Sequence, residues 1–273
     1  MRIGFIGAGN MASAIIRGLV SGGTLAAEDI VVTDAHQAKA SQLARETGID
    51  VVESNEELVE QVGTGGLVVL AVKPQVIPAV LPDLRDALAA HASVVVSIAA
   101  GTTLSMLAAM LDAGQPIVRV MPNVNAQVGA GMAAICGNED ATEDHVDDVV
   151  TVFEAVGKTL TLPEKDFATY SAIAGCSPAF TFAYIDALAR AAVKNGLPKA
   201  QAVRIAAQAV LGSAQNVLTH LGDGVTPKDL EDMVCSPAGT TIAGTTELDQ
   251  AGFTAAVLRG VQASIDRDIE MSG

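Results

Sequence analysis

Residues 3–12 read IGFIGAGNMA, and this stretch decides the fold. Ile3, Phe5 and Ile6 form a short apolar run, and Gly7-Ala8-Gly9-Asn10-Met11-Ala12 follows as G-x-G-x-x-A at a strand-to-helix turn. Gly7 permits the tight turn, Gly9 lets backbone approach a pyrophosphate, and Ala12 allows the helix to pack closely on the strand. A helix opening here offers free N–H groups and positive potential to phosphate oxygens. Gly7, Gly9, Asn10 and Met11 are therefore candidate cofactor-binding residues for a dinucleotide. The bland alternative is a glycine-rich turn with no ligand.

Arg2–Ile6, Ile30–Thr33, Leu67–Val72, Val94–Ile98 and Ile117–Met121 are apolar runs without polar alternation, as strands buried on both faces should be. Helical patterns at Met11–Val20 and Gln37–Thr47 lie between them, and Ser54–Glu57 reads as a capping box. Strands alternating with helices predict an α/β fold: an N-terminal Rossmann-like doubly wound sheet over residues 1–162. In such sheets ligands gather beyond the carboxyl ends of the strands. Asp34 stands at the end of the second strand, where a carboxylate would accept hydrogen bonds from the adenosine ribose and repel a 2′-phosphate. It reads equally as a cap for the next helix, and His36 and Lys39 nearby would offset a 2′-phosphate. Val72, Lys73 and Pro74 end one buried strand and Asn123 follows another, so both loops are candidates to line the cofactor. Lys73 reads as readily as an exposed cation at a helix start.

After about Pro163 the pattern changes, and residues 163–273 predict an all-α C-terminal domain. Ser177-Pro178 and Thr226-Pro227 each place a capping residue before a proline, the signature of a helix entrance. Gly196 supplies a stop and Pro198 a new start. The first long helix carries Ala179, Ala183, Ala187 and Ala191 at four-residue spacing, with Phe180, Tyr184 and Leu188 beside them. Helices apolar on more than one face need more cover than one small domain provides, so a homodimer packed through this domain is expected.

Composition narrows the function. A formal charge of −15 argues against a nucleic-acid backbone as partner. No run of roughly 18 apolar residues free of charge is present, so no membrane span is expected. Met1 leads directly into the first strand, leaving no room for a cleavable leader. Three scattered cysteines (Cys136, Cys176, Cys235) and four scattered histidines fit a reduced cytoplasmic protein and provide no metal-site spacing.

One further stretch carries chemistry: CSPAGTTIAG, residues 235–244. It is dense in hydroxyls and small residues and holds no His, Asp, Glu or Lys, so it either caps a helix or holds a small polar ligand. Together with GFIGAGNMA, AVKPQ, SIAAGTT, MPN, the GCSPAF helix start, NGLP and ELDQAGF, it makes almost the whole chain resemble pyrroline-5-carboxylate reductase. The resemblance implies reduction of 1-pyrroline-5-carboxylate to L-proline with NADPH or NADH, in a homodimer or a ring of dimers joined through the helical domain. It implies that the Thr241 hydroxyl faces the ring nitrogen and that Ser236 contacts the carboxylate side. Ala238, Gly239 and Thr240 would complete a substrate loop whose backbone N–H groups reach the carboxylate. Three departures stand out: Ala238 where the family commonly has glycine, Cys176 at the helix entrance, and Val124-Asn125 after MPN. A related imine or hydroxyacid reductase and a catalytically silent nucleotide-binding protein are the alternatives.

Overall fold

The structure, a computed structural model, describes residues 1–272. The chain divides into two compact units, residues 1–175 with 264–273, and residues 176–263.

The first unit is built on an eight-stranded sheet: β1 (Ile3–Ile6), β2 (Ile30–Thr33), β3 (Asp50–Val51), β4 (Leu67–Leu70), β5 (Val94–Ser97), β6 (Ile117–Met121), β7 (Gly131–Gly137) and β8 (Gly157–Thr161), in the order β3-β2-β1-β4-β5-β6-β7-β8. All pairings are parallel except β6 with β7. The helices are α1 (Asn10–Ser21), α2 (Gln37–Thr47), α3 (Asn55–Val62), α4 (Ile77–Val80), α5 (Arg85–Ala90), α6 (Leu104–Ala108), α7 (Glu143–Glu154) and α8 (Phe167–Tyr170).

Two-residue alternation along the inner strands feeds two separate cores. Ile3, Phe5, Leu67, Val69 and Val96 face one layer with Ile15, Ile16, Leu19 and Phe153. Ile6, Val68, Leu70 and Val95 face the other with Leu58, Val59, Leu81 and Leu88. Burial on both faces is why these strands carry no polar alternation. Gly4 belongs to this packing, because a Cβ there would lie 2.4 Å from the Leu58 side chain of α3.

The sequence missed β3, which has two residues, and β7, whose GMAAICG is small and weakly patterned. The compact units divide after Gly175, beyond the expected boundary at 162/163. Arg119, buried in β6, donates to Glu164 Oε1 at 2.8 Å and lies 4.7 Å over the Phe167 ring. Glu164 Oε1 also accepts the Leu104 N–H at 2.7 Å, and Phe167 and Tyr170 pack on Ala134 and Cys136. Side-chain contacts far apart in sequence thus hold residues 164–175 to the sheet. Burial in this cluster pushes the Cys136 thiol up to about 12.

The second unit contains α9 (Ser177–Lys194), α10 (Lys199–Thr219), α11 (Pro227–Val234), α12 (Thr240–Gln250) and the first part of α13 (Phe253–Ser272). The all-α expectation is met. Ala189, Ala202 and Ala206 are buried, small side chains that let α9 and α10 approach closely. Thr226 caps α11 as expected, its Oγ1 accepting from Asp229 N–H; the Asp229 carboxylate accepts in turn from the Thr226 hydroxyl and, secondly, from its N–H, which holds that carboxyl below its usual range.

Ser177 does not cap a new helix. The chain passes from α8 through a wide π-helical turn, Ser171–Cys176, straight into α9. Pro178 has no N–H for the carbonyl four residues back, and Asn123 Nδ2 donates to that Ala174 oxygen instead, at 2.9 Å. The helix therefore tolerates its proline. The path from Glu164 to Lys194 becomes the one helix among the described residues that is long and apolar enough to cross a membrane by length and composition. Only 17% of its most apolar window is buried, so its apolar surface is open to a partner.

Candidate functional site

The strand order reverses between β1 and β4, and the switch point of an open α/β sheet is where ligands bind. Gly7, Gly9, Asn10, Met11, Asp34, Val72, Lys73, Pro74 and Asn123 all lie beyond the carboxyl ends of β1, β2, β4 and β6. Gly7 adopts φ +110°, and a Cβ there would lie 2.7 Å from the Ala71 carbonyl oxygen. Glycine is thus required both by conformation and by space. Gly7 N–H donates to Thr33 O at 2.8 Å, joining the loop to β2. At Gly9 the situation is reversed, since a Cβ would meet nothing within 4 Å. Gly9 precedes α1 with no side-chain cap and no acidic residue in the first turn. Free N–H groups beside open space suit the pyrophosphate of a dinucleotide.

Asp34 is not a helix cap. The residue preceding α2 is His36, without a side-chain cap, while Asp34 Oδ2 accepts the Ala8 N–H at 2.8 Å and Oδ1 accepts the His36 N–H at 2.7 Å. Val72 and Pro74 are half-buried, and Lys73 is exposed before a short turn at Pro74–Val76.

Asn123 needs a new account. Both polar atoms of its side chain are engaged: beyond the Nδ2 bond to Ala174, its Oδ1 accepts from Asn125 N–H and Met132 N–H, both at 3.2 Å. It holds together the loop after β6, the start of β7 and the π turn, so its side chain has a structural task beside any contact with a cofactor. Nothing in the local sequence announces this, because Ala174 lies far along the chain. A cleft of about 560 Å³ lies beside α1, lined by Asn10, Ser13, Arg17, Gln127 and Gly129, and shares only Asn10 with the expected set.

Ser236, Ala238, Gly239, Thr240 and Thr241 belong to the second unit, at the N-terminus of α12. Gly239 N–H donates to Ser236 O at 2.9 Å, and a Cβ on Gly239 would lie 2.3 Å from Ser236 Oγ. Gly239 is therefore needed to let the serine fold over the turn. Ala238 stands at φ +58°, the left-handed region that glycine would occupy without strain. The expectation that hydroxyls cap this helix fails: Gly239 precedes α12 with no side-chain cap. Thr245 and Thr246 turn back to the Ile242 carbonyl, whereas, among the described residues, the Thr240 and Thr241 hydroxyls bond to no protein group. What α12 presents is two free hydroxyls and a set of free amides.

Comparison with known proteins bears on both units. Residues 164–271 match the family model for pyrroline-5-carboxylate reductase dimerisation, and residues 2–101 match that for coenzyme F420-dependent NADP oxidoreductases. Pyrroline-5-carboxylate reductase of Escherichia coli strain K12 is 39% identical over 271 residues, covering 99% of this chain and 98% of that protein. The solved structure of 1-pyrroline-5-carboxylate reductase from Streptococcus pyogenes is similar at TM-score 0.85 and 38% identity, covering 98% of each chain. That of Plasmodium falciparum pyrroline carboxylate reductase, with NADP bound, is similar at TM-score 0.88 and 27% identity, covering 100% of this chain and 98% of that one.

Proposed function

Because the chain belongs to the pyrroline-5-carboxylate reductase family, we infer that it reduces 1-pyrroline-5-carboxylate to L-proline with NADH or NADPH, the last step of proline biosynthesis. The free hydroxyl of Thr241 beside the open N-terminus of α12 carries the site assignment.

When bound, the reduced nicotinamide supplies a hydride for the imine carbon. The chain's own residues have orienting work to do. The amides after Gly9 hold the pyrophosphate, and Val72, Lys73 and Pro74 line the cofactor beyond β4. Asn10 and Met11 open α1 beside the phosphates. At α12 the amides of Ala238 and Thr240, with Ser236, bind the substrate carboxylate, and Gly239 shapes the turn between them through its own N–H to Ser236 O. The Thr241 hydroxyl hydrogen-bonds the ring nitrogen as it passes from iminium to amine. The nitrogen already carries its proton, so no strong acid is needed, and none stands in residues 235–244. Positioning is the main contribution.

The helical unit serves assembly as a homodimer or a ring of dimers. Support comes from the dimerisation match and from Phe182, Ile205, Leu211, Leu218 and Leu258, all exposed in the single chain. The same reading explains the apolar path at Glu164–Lys194 as a protein interface rather than a membrane span. Three unpaired cysteines suit the cytoplasm, and the acidic net charge suits small-molecule rather than nucleic-acid partners. The test is loss of reduced-nicotinamide absorbance on adding 1-pyrroline-5-carboxylate to the purified protein. No substrate-dependent loss with either cofactor rejects the activity.

A further inference from the structure

We propose that Asp34 makes this protein select NADH over NADPH, because two backbone amides fix its carboxylate at the adenosine-ribose position and prevent it from withdrawing to admit a 2′-phosphate. The proposal rests on the reductase reading above and names the cofactor for it.

Asp34 directly follows β2, the strand that pairs with β1 residue for residue from Ile3–Ile30 to Ile6–Thr33. The phosphate loop leaves β1 at the same level, and Gly7 N–H is bonded to Thr33 O. The carboxylate therefore stands beside the loop that receives the pyrophosphate, one ribose away from it along a dinucleotide. Its side chain is only 13% exposed, with Oδ2 on Ala8 N–H at 2.8 Å and Oδ1 on His36 N–H at 2.7 Å.

An ionised carboxylate has about four acceptor positions. Two are taken by the amides, one on each oxygen, and one on each oxygen stays open. Adjacent 2′- and 3′-hydroxyls are donors matched to that pair. A 2′-phosphate, largely dianionic at neutral pH, brings acceptors and negative charge to the same place. In a flexible site the aspartate would swing aside; here, rotation breaks two hydrogen bonds, one of them to the phosphate loop itself.

The neighbouring basic side chains do not supply a compensating cradle. His36 Nδ1 lies 3.7 Å from Oδ1, but its side chain is 78% exposed. Lys39 and Lys73 are exposed too. Mobile, solvated charges recover little of the repulsion from an anion held in place.

The test measures initial rates with 1-pyrroline-5-carboxylate and each cofactor for wild type, Asp34→Asn and Asp34→Ser. Cofactor dissociation constants are measured in parallel, by fluorescence titration without substrate. Wild type is expected to favour NADH by about tenfold or more in kcat/KM and in affinity, with the difference in KM rather than kcat. Asp34→Asn should bring the ratio within about threefold of unity, and Asp34→Ser should tip it toward NADPH. Equal or tighter NADPH binding by wild type overturns the proposal. So does a uniform loss of affinity for both cofactors in Asp34→Asn, which would make the residue a loop tether alone. These outcomes are separable from failure of the reductase reading. The titrations decide the cofactor even if no turnover is seen, and a kcat/KM with NADPH equal to or above that with NADH sinks the selectivity while leaving the reaction standing.

Discussion

The two loops proposed to hold cofactor and substrate each end on a helix N-terminus built from small residues. Gly9 precedes α1, Gly239 precedes α12, and neither helix has a side-chain cap. The supports behind them differ. The loop at 7–12 leaves a strand buried between two cores and is fixed by bonds from Gly7 to Thr33 and from Ala8 to Asp34. The loop at 236–241 is held by a local bond, Gly239 to Ser236, on helices whose large apolar side chains are mostly exposed. The first carries its strained conformation on a glycine, the second on Ala238. A loop set by its own unit can be finished before any ligand or partner arrives. One mounted on uncovered helices depends on the assembly that covers them.

Breaking that assembly should have the largest effect. Ala183, exposed in the single chain, lies on the apolar surface of α9. Ala183→Glu would place an unpaired charge in the interface and should weaken the dimer by at least roughly 10³-fold, read by light scattering across a dilution series. A wild-type protein that is a folded, active monomer at assay concentration would end the comparison.

Next comes the chemistry of the exposed loop. Thr241→Ala should lower kcat roughly 10²-fold while leaving the cofactor dissociation constant nearly unchanged. Thr241→Ser should keep much of the rate. Near-wild-type turnover from a folded, dimeric Thr241→Ala protein would leave the nitrogen without this partner.

The well-supported unit can be tested through its clamp. Glu164→Gln keeps an oxygen for the Leu104 N–H but leaves the Arg119 guanidinium, whose side chain is 6% exposed, without its counter-charge. Glu164 is itself partly exposed, so the loss should be about 2 kcal/mol, or roughly 4–8 °C in Tm. An unchanged melting curve would show that residues 164–175 are held by apolar packing alone.

The smallest effect should come from Ala238→Gly. Relief of the left-handed strain is worth about 1 kcal/mol, and the added freedom of the unfolded chain offsets about half of it. Tm should move by less than about 2 °C. A large fall in substrate KM would sharpen the picture, by showing that the Ala238 methyl touches the substrate.

Much of this molecule was legible in its residues. The glycine fingerprint fixed the first unit because its demands are local: a positive φ at Gly7, open space at Gly9 and a small residue at Ala12. Continuous Val and Leu runs marked the inner strands, since burial on both faces leaves no room for polar alternation. Thr226 and Gly196 marked helix ends correctly for the same local reason. Tertiary structure decided the rest. It made Ser177-Pro178 part of a continuing helix, because Asn123 supplies the hydrogen bond that proline cannot. It placed the edge of the first unit at Gly175, where the Arg119–Glu164–Phe167 cluster holds the chain to the sheet, and it tied the Asp34 carboxylate to two amides rather than leaving it as a helix cap. Sequence carries what a residue requires of its immediate backbone. Which distant amide or carbonyl satisfies a buried polar side chain is settled only when strands and turns far apart in the chain come together.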